Sequence, residues 1–229
     1  MCEGRSVKMR YEAVLFDVDG TLLDTSEGIL LSVKDAIRKF GLEMLPDERL
    51  LKFIGPPIEW SYEGAYDIHG EELREVCACF RDRYSNHNLL LARPYDGIFD
   101  LLSLLKEKGI KIGVATYKKQ DYAEKLLKHY GFDKYADVIY GSDYENKLTK
   151  ADIIDLCIRD LGASDNSKVL MVGDSRHDAE GAARIGTDFA GVSFGFGFGE
   201  FGGEDINDYA HVIYADTPLE LAVLFEEEE

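Results

Sequence analysis

The chain has 229 residues, of which 45% are hydrophobic and 31% are charged, and its formal net charge at pH 7 is −18. These values are typical of a soluble globular protein with one large domain, or with one domain that carries an insertion. They disfavour nucleic acid and anionic membranes as partners, and no apolar run approaches the roughly 18 residues that span a bilayer.

The N-terminus and the cysteines favour the cytoplasm. The first ten residues, MCEGRSVKMR, contain no apolar stretch of the kind that signal peptides have. The four cysteines form no C-x-x-C pair, and Cys77 falls on an apolar stripe with helical spacing, as a reduced core thiol would. We therefore expect a cytoplasmic protein. No pattern points to a particular oligomeric state.

The first predicted element is a short buried strand, the run AVLF that begins at Ala13. From about residue 25 to residue 92 no strand pattern follows. Helical stripes appear there instead, one of them formed by Ile29, Val33 and Ile37, and the breaker GPP at Gly55 separates later ones. This pattern predicts a helical insert of about 70 residues between the first strand and the rest of the sheet.

The rest of the chain alternates between strand and helix patterns. Five apolar runs rich in β-branched residues predict strands, namely KIGVAT at Lys111, DVIYG at Asp137, VLMVGD at Val169, DFAGVSF at Asp188 and HVIYA at His211. Such alternation predicts an α/β fold with a Rossmann-like parallel sheet and helices on both faces. We expect residues 1–24 and 93–229 to form this core, and residues 25–92 to form an inserted α-helical cap domain.

Polar side chains follow three of the predicted strands. Asp17 follows the first strand, Thr116 ends KIGVAT, and Asp174 ends VLMVGD, with Asp178 one helical turn further on. Ligands of parallel α/β sheets bind beyond the carboxyl ends of the strands, so these side chains should converge. Clustered carboxylates repel one another, and Mg²⁺, which binds carboxylate and phosphate oxygens, would remove that repulsion. The sequence therefore predicts a magnesium site.

A second aspartate in the first loop, Asp19, suits a different task. One carboxylate can attack phosphorus and form an aspartyl-phosphate, while a neighbouring carboxylic acid protonates the leaving alcohol and later activates water. Gly20 and Thr21 would allow a tight loop whose N–H groups face the phosphate.

A lysine should supply the positive charge at this site. In LTKADII, Thr149 and Asp152 have the spacing of a capping box. Lys150 would then be the first residue of a helix, beside an N-terminus that favours anions. Lys147 is the rival candidate, and the capping pattern favours Lys150.

Four segments together resemble the motifs of a known family. DVDGT, Thr116, Lys150 and GDSRHDAEGA occur in the order of the four motifs of the haloacid dehalogenase superfamily, and the insert falls where that family places a type 1 cap. FIGPP, RPYDGI and GDxxHDxxGA are similar to the phosphoglycolate phosphatase-like branch. Ser175 departs from the pattern, because related sequences often have arginine there, but Arg176 is adjacent.

The resemblance implies a role for each motif residue. Asp17 would be the nucleophile, and Asp19 would be the general acid/base. Thr116 and Lys150 would bind the transferring phosphoryl group. Asp19 would ligate the metal through its backbone carbonyl, and Asp178 would support the metal through water. The implied metal set is Asp17, Asp19, Asp174 and Asp178.

The expected function is that of a Mg²⁺-dependent phosphatase acting on a small phosphorylated metabolite. Phosphoglycolate and a 5′-nucleotide are the leading substrates, and a sugar phosphatase or phosphomutase is the next alternative. GFGEFG at Gly197 fits G-x-G-x-x-G and raises a dinucleotide-binding oxidoreductase as a remote alternative, although GEDINDYA after it is not the apolar helix that this fingerprint opens. We expect Arg81 and His177 on solvated helix faces.

Overall fold

The structure, a computed structural model, describes residues 10–199 and 202–226. Its strands are β1 Ala13–Phe16, β2 Leu23–Asp24, β3 Arg93–Pro94, β4 Lys111–Lys119, β5 Val138–Ser142, β6 Val169–Gly173, β7 Asp188–Val192 and β8 Ile213–Ala215. Six of them form one parallel sheet in the order β5-β4-β1-β6-β7-β8. The remaining two, β2 and β3, pair as a separate antiparallel ribbon.

The predicted Rossmann-like sheet is confirmed, with one boundary different. KIGVAT was expected to end at Thr116, but β4 continues to Lys119. It does so because pairing with β5 resumes at Lys119 and Ser142 after an irregularity that follows Ala115. Thr116 therefore lies inside a strand and not at its end, and three further side chains of β4 project from the same edge of the sheet.

The helices are α1 Ser26–Lys39, α2 Asp47–Leu50, α3 Ile58–Tyr66, α4 Gly70–Arg83, α5 Ile98–Glu107, α6 Gln120–Tyr130, α7 Lys150–Leu161 and α8 Arg176–Ile185. Leu101 of α5 and Leu126 of α6 share a buried cluster with Val14 of β1. Ile153 of α7 shares the other cluster with Leu15. Alternate residues of β1 thus face opposite helical layers, which is why its whole sequence is apolar.

Helices α1 to α4 lie in the interval where no strand was predicted. The stripe of Ile29, Val33 and Ile37 is buried, and α1 packs against α4, which buries Cys77. A π-helical turn, Tyr84–Asn88, extends α4. Because β2 and β3 pair with each other, the insert leaves and rejoins the sheet-forming part of the chain at one place. Across the described ranges, no helix combines the length and apolarity needed to cross a membrane.

Candidate active site

Three carboxylates meet at the carboxyl edge of the sheet. Asp17 follows β1, Asp174 follows the neighbouring strand β6, and Asp178 lies in the first turn of α8. Each offers an oxygen, and these oxygens lie within 4.8 Å of one another. All three residues are buried. The structure therefore brings together the acids that the sequence placed at separate strand ends.

Burial of this cluster disfavours its negative charge. Burial raises the pKa of Asp17 to about 6; Asp178 and Asp19 add to the rise, and Lys150 opposes it. Burial, Asp178 and Asp17 raise the pKa of Asp174 well above its usual value. Oδ1 of Asp178 is buried and meets the Lys150 ammonium at 2.7 Å, but no hydrogen bond of good geometry reaches it. An incompletely satisfied set of hard oxygen donors is what a divalent cation such as Mg²⁺ binds, so these residues fit that ion.

Lys150 contacts two of the three clustered acids. It is the first residue of α7, and Thr149 and Asp152 form the predicted capping box. Its Nζ atom lies 2.7 Å from Oδ1 of Asp17 and 2.7 Å from Oδ1 of Asp178. Burial alone would lower the pKa of Lys150, but these two carboxylates raise it overall. The rival, Lys147, is exposed and pairs with a surface glutamate.

Asp19 lies apart from the three clustered acids and has its own partners. Its Oδ1 accepts a hydrogen bond of 2.5 Å from the Thr25 hydroxyl and lies 2.9 Å from Nζ of Lys118. The same ammonium donates to the Tyr84 hydroxyl at 2.9 Å. The backbone N–H of Lys118 in turn donates to Oγ1 of the buried Thr116 at 3.1 Å. The sequence analysis missed Lys118 and Thr25; a lysine at the end of a buried strand was the available signal.

The amides of Gly20 and Thr21 hydrogen-bond within the tight loop that follows Asp17. The N–H of Gly20 donates to the carbonyl of Leu23 at 2.9 Å, and that of Thr21 donates to the carbonyl of Val18 at 3.3 Å. The loop closes on itself because the six residues 17–22 turn sharply from β1 into β2. Both amides are therefore used within the turn and do not face a phosphate.

The glycine-rich segment that begins near Gly195 encloses Asp174. Oδ2 of Asp174 accepts hydrogen bonds from the N–H groups of Phe196, at 2.6 Å, and Gly197, at 3.3 Å. A Cβ atom on Gly195 would lie 2.2 Å from Cβ of Asp174, and one on Gly20 would lie 2.1 Å from its Oδ2. The segment is thus a close-fitting loop around a carboxylate. Its described part opens no helix longer than the turn Ile206–Asp208, and residues 200 and 201 of GFGEFG lie outside the described residues.

A family model described as a haloacid dehalogenase-like hydrolase matches residues 14–192, a range that contains every predicted site residue. The chain belongs to this family. The resemblance inferred from the four motifs is therefore confirmed, and the oxidoreductase alternative has no support.

Several relatives of this haloacid dehalogenase-like hydrolase carry phosphatase names. A 5′-nucleotidase from Pseudomonas aeruginosa is 35% identical over 84% of this chain and 87% of its own length. Pyrophosphatase PpaX from Halalkalibacterium halodurans is 31% identical over 81% of this chain and 85% of its own. The crystal structure of a predicted phosphatase from Clostridium acetobutylicum has a TM-score of 0.84 and 33% identity, and the match covers 93% of this chain and 97% of that one. The chain is accordingly an enzyme of the phosphatase type, as predicted.

A cavity of about 60 Å³ lies beside Asp19 in this hydrolase. Gly55 and Arg81 line it from the insert, and Lys118 and Lys119 line it from β4. Arg81 forms an ion pair with Glu59 and is partly buried, so its predicted place on a solvated face is wrong. Burial and the nearby Arg81 lower the pKa of Lys119 to about 8.

His177 also differs from its predicted surface position. Its ring centroid lies 5.5 Å from that of Tyr117 and 6.1 Å from that of Trp60. Burial lowers the pKa of His177. The cause of the difference is the insert, because Trp60 on α3 covers this part of α8, and no local pattern in the sequence shows that contact.

Proposed function

We propose that this phosphatase hydrolyses a small, phosphoglycolate-like phosphomonoester in the cytoplasm, with Mg²⁺, through a phosphorylated Asp17. The observation that carries the proposal is the position of Asp17. Its carboxylate lies 2.7 Å from the Lys150 ammonium inside a set of three buried acids at the sheet edge. A phosphoryl group beside this carboxylate would meet a cation and a nucleophile together.

The chain's own residues divide the reaction into two steps. In the first, an oxygen of Asp17 bonds to phosphorus as the bond to the leaving alcohol breaks, and Asp19 gives its proton to that alcohol oxygen. In the second, Asp19 takes a proton from water, and the water oxygen displaces Asp17 from phosphorus. Thr116 and Lys150 hold the phosphoryl oxygens throughout.

The metal-binding part of the proposal rests on four residues. Mg²⁺ would be bound by side-chain oxygens of Asp17 and Asp174 and by the backbone carbonyl of Asp19. The side chain of Asp178 would support the ion. When bound, Mg²⁺ supplies positive charge that offsets the charges of the phosphoryl group and the attacking carboxylate. Lys150 neutralises part of the cluster by itself, which keeps Asp17 available for attack.

The proposed division into domains explains how water is excluded. Residues 25–92 would act as a cap over a core formed by residues 1–24 and 93–229. The cavity beside Asp19 has walls from both parts, so a leaving group there would be shielded when the two lie together. The ribbon β2–β3 supports this division, because it pairs the two chain segments that connect the insert to the core.

The cavity favours a leaving group with a second negative charge. The Lys119 ammonium donates to the carbonyl of Asp143 and to the amide oxygen of Asn146, at 2.6 and 2.5 Å, and the Asp143 and Asp121 carboxylates only partly offset the fall in its pKa. Arg81 adds a second cation, which Glu59 offsets. A carboxylate on the substrate would complement Lys119, which favours phosphoglycolate. The 35% identity to a 5′-nucleotidase makes a 5′-nucleotide the second candidate.

A phosphate-release assay tests this function. Phosphoglycolate, its analogue without the carboxylate (2-hydroxyethyl phosphate), a set of 5′-nucleotides and a sugar phosphate are each supplied with Mg²⁺, with Ca²⁺ or with EDTA. We expect turnover with Mg²⁺ alone and faster hydrolysis of phosphoglycolate than of 2-hydroxyethyl phosphate. Turnover in EDTA would contradict the metal site, and a preference for 2-hydroxyethyl phosphate would contradict the assigned substrate class.

A further inference from the structure

We propose that Tyr117 is a positioning residue for Lys150, and that Trp60 holds Tyr117 in place when the insert lies against the core. The proposal rests on the proposed role of Lys150 in binding the phosphoryl group. Under this proposal, the position of the Lys150 side chain depends on whether the insert lies against the core. None of the four motifs assigns a task to Tyr117 or Trp60.

Tyr117 contacts Lys150 in two ways. Its hydroxyl accepts a hydrogen bond of 2.9 Å from the backbone N–H of Lys150. That amide is the first of α7 and has no carbonyl partner within its own helix. The Lys150 ammonium also lies 5.5 Å from the centroid of the Tyr117 ring, within the range of a cation–π contact. One side chain therefore holds both the start of α7 and the charged end of its first residue.

Three aromatic rings join this pair to the insert. Trp60 comes from α3, Tyr117 from β4 and His177 from α8. The Trp60 and Tyr117 ring centroids lie 6.0 Å apart at an interplanar angle of 77°, and those of Tyr117 and His177 lie 5.5 Å apart at 73°. These are edge-to-face contacts, the geometry that aromatic pairs prefer. Each ring contacts both others, so removing Trp60 deprives Tyr117 of its neighbour on the insert side.

The position of Tyr117 explains why this contact bears on catalysis. Tyr117 lines the cavity beside Asp19, and it also lines a second recess beside Lys150. It is thus part of the wall between the two spaces. Trp60 remains 46% exposed in this arrangement, so its contact with Tyr117 is made at the surface and can be broken without unpacking a core. When the insert moves away, Tyr117 keeps His177 and the Lys150 amide but loses its neighbour on the insert side, which loosens its hold on Lys150.

The chain offers a direct spectroscopic readout, because Trp60 is its single tryptophan. Tyr117→Leu should shift the emission of Trp60 to longer wavelength in the protein without ligand, since the indole loses its aromatic cover. Tyr117→Phe keeps the ring and should leave the emission unchanged. This measurement needs no turnover, so it tests the ring cluster even if the proposed function fails. Unchanged emission in Tyr117→Leu, with the thermal transition intact, would overturn the proposal.

Kinetics then test the effect on Lys150. Tyr117→Phe should lower kcat about 2- to 10-fold with little change in KM, the loss expected for one hydrogen bond. Tyr117→Leu should lower kcat further, and Trp60→Phe should keep most of the activity that Trp60→Ala loses. The matched control is Tyr140→Phe on β5, which removes a hydroxyl bonded to Asp160 and should leave both constants unchanged. If the unaltered enzyme hydrolyses phosphomonoesters but Tyr117→Leu keeps its kcat, the positioning role is wrong and the proposed function stands.

Discussion

Asp17 and Asp19 are two positions apart in one loop, but their surroundings separate their tasks. Asp17 faces Lys150 and two other buried acids. Asp19 is held by the Thr25 hydroxyl and the Lys118 ammonium and borders the cavity where a leaving group would lie. The first environment suits attack on phosphorus, and the second suits proton transfer to and from the oxygen beside it.

The first prediction concerns Asp19→Asn. An alkyl phosphate leaves as a basic alkoxide and needs a proton, whereas p-nitrophenolate leaves well without one. General acid catalysis is typically worth about 10²- to 10⁴-fold, and most of that loss should appear only with the alkyl substrate. The single-turnover burst of released alcohol or phenol measures the first step alone. Asp17→Asn is the control and should remove both bursts; equal losses in Asp19→Asn would deny it the role of proton donor.

Residues at this site differ in how far the sequence could predict their positions. Asp17, Asp174 and Lys150 follow from strand ends and a capping box, which are local patterns. The strand pattern could have singled out Lys118, but the directions of the Lys118 and Tyr117 side chains could not be predicted, because they depend on β4 continuing beyond Thr116. Trp60 and His177 meet only through the packing of the insert on the core. The sequence thus predicted the positions of the proposed reacting groups but not the residues packed around them.

At the scale of elements, the loop around Asp174 needs a glycine at one particular position, where its backbone contacts the carboxylate. Gly195 is needed because the Asp174 side chain and the Gly20 carbonyl occupy the place of a Cβ atom, at 2.2 and 2.5 Å. The same approach lets the loop donate two N–H groups to the carboxylate. Within the G-x-G pattern itself, a Cβ atom on Gly197 would lie 2.6 Å from the Asp174 carbonyl and one on Gly199 would lie 2.3 Å from the Gly195 carbonyl, so close backbone approach accounts for these glycines.

The second prediction compares two glycines. Gly195→Ala should push Asp174 from its place, cost about 1–3 kcal/mol of stability, and raise the Mg²⁺ concentration needed for half-maximal activity. Gly64→Ala, on the exposed face of α3, meets no atom within 4 Å and should gain about 0.5–1 kcal/mol with activity unchanged. Thermal unfolding and Mg²⁺ titrations measure both. Normal Mg²⁺ dependence in Gly195→Ala would show that the loop does not position Asp174.

Whole elements were predictable where burial requires a continuous run of apolar residues in the sequence. The central strands were found because strands covered on both faces are apolar throughout, as β1 and β6 are, and the edge strands β5 and β8, which are partly exposed, were found from their β-branched residues. The ribbon β2–β3 was not found, since its strands are two residues long and pair across a gap of about 70 residues, and the π-helical turn at Tyr84–Asn88 has no sequence pattern of its own. The end of β4 was misplaced because it depends on pairing with β5.

At the scale of the whole molecule, the raised pKa values of Asp17 and Asp174 link stability to pH and metal. Their folded-state pKa values exceed the unfolded ones, so the metal-free native state holds protons that the unfolded chain releases. For Asp17 this occurs between about pH 4 and pH 6. The stability contributed by this site without metal is therefore present at low pH and is lost as pH rises through about 6.

The third prediction follows from competition between protons and Mg²⁺. Mg²⁺ binds the ionised carboxylates, so the rise in Tm that it causes should be several degrees at about pH 7.5 and close to zero at about pH 5. Calorimetry with and without Mg²⁺ measures this. Asp174→Asn should abolish the difference, and Asp133→Asn, which changes an exposed acid, should preserve it. Equal Mg²⁺ shifts at both pH values would argue against a site made of these carboxylates.

The measurement that tests the central claim most directly is detection of phosphate on Asp17. Asp19→Asn should accumulate the intermediate, because Asp19 also activates the water that removes it. The variant is mixed with Mg²⁺ and p-nitrophenyl phosphate, quenched in acid within one turnover, digested, and analysed by mass spectrometry. We predict one added phosphoryl group on the peptide that contains Asp17, removable by hydroxylamine and absent when Asp17→Asn is introduced as well. Release of p-nitrophenol in a full burst with Asp17 unmodified, or with the phosphoryl group on another residue, would contradict the account.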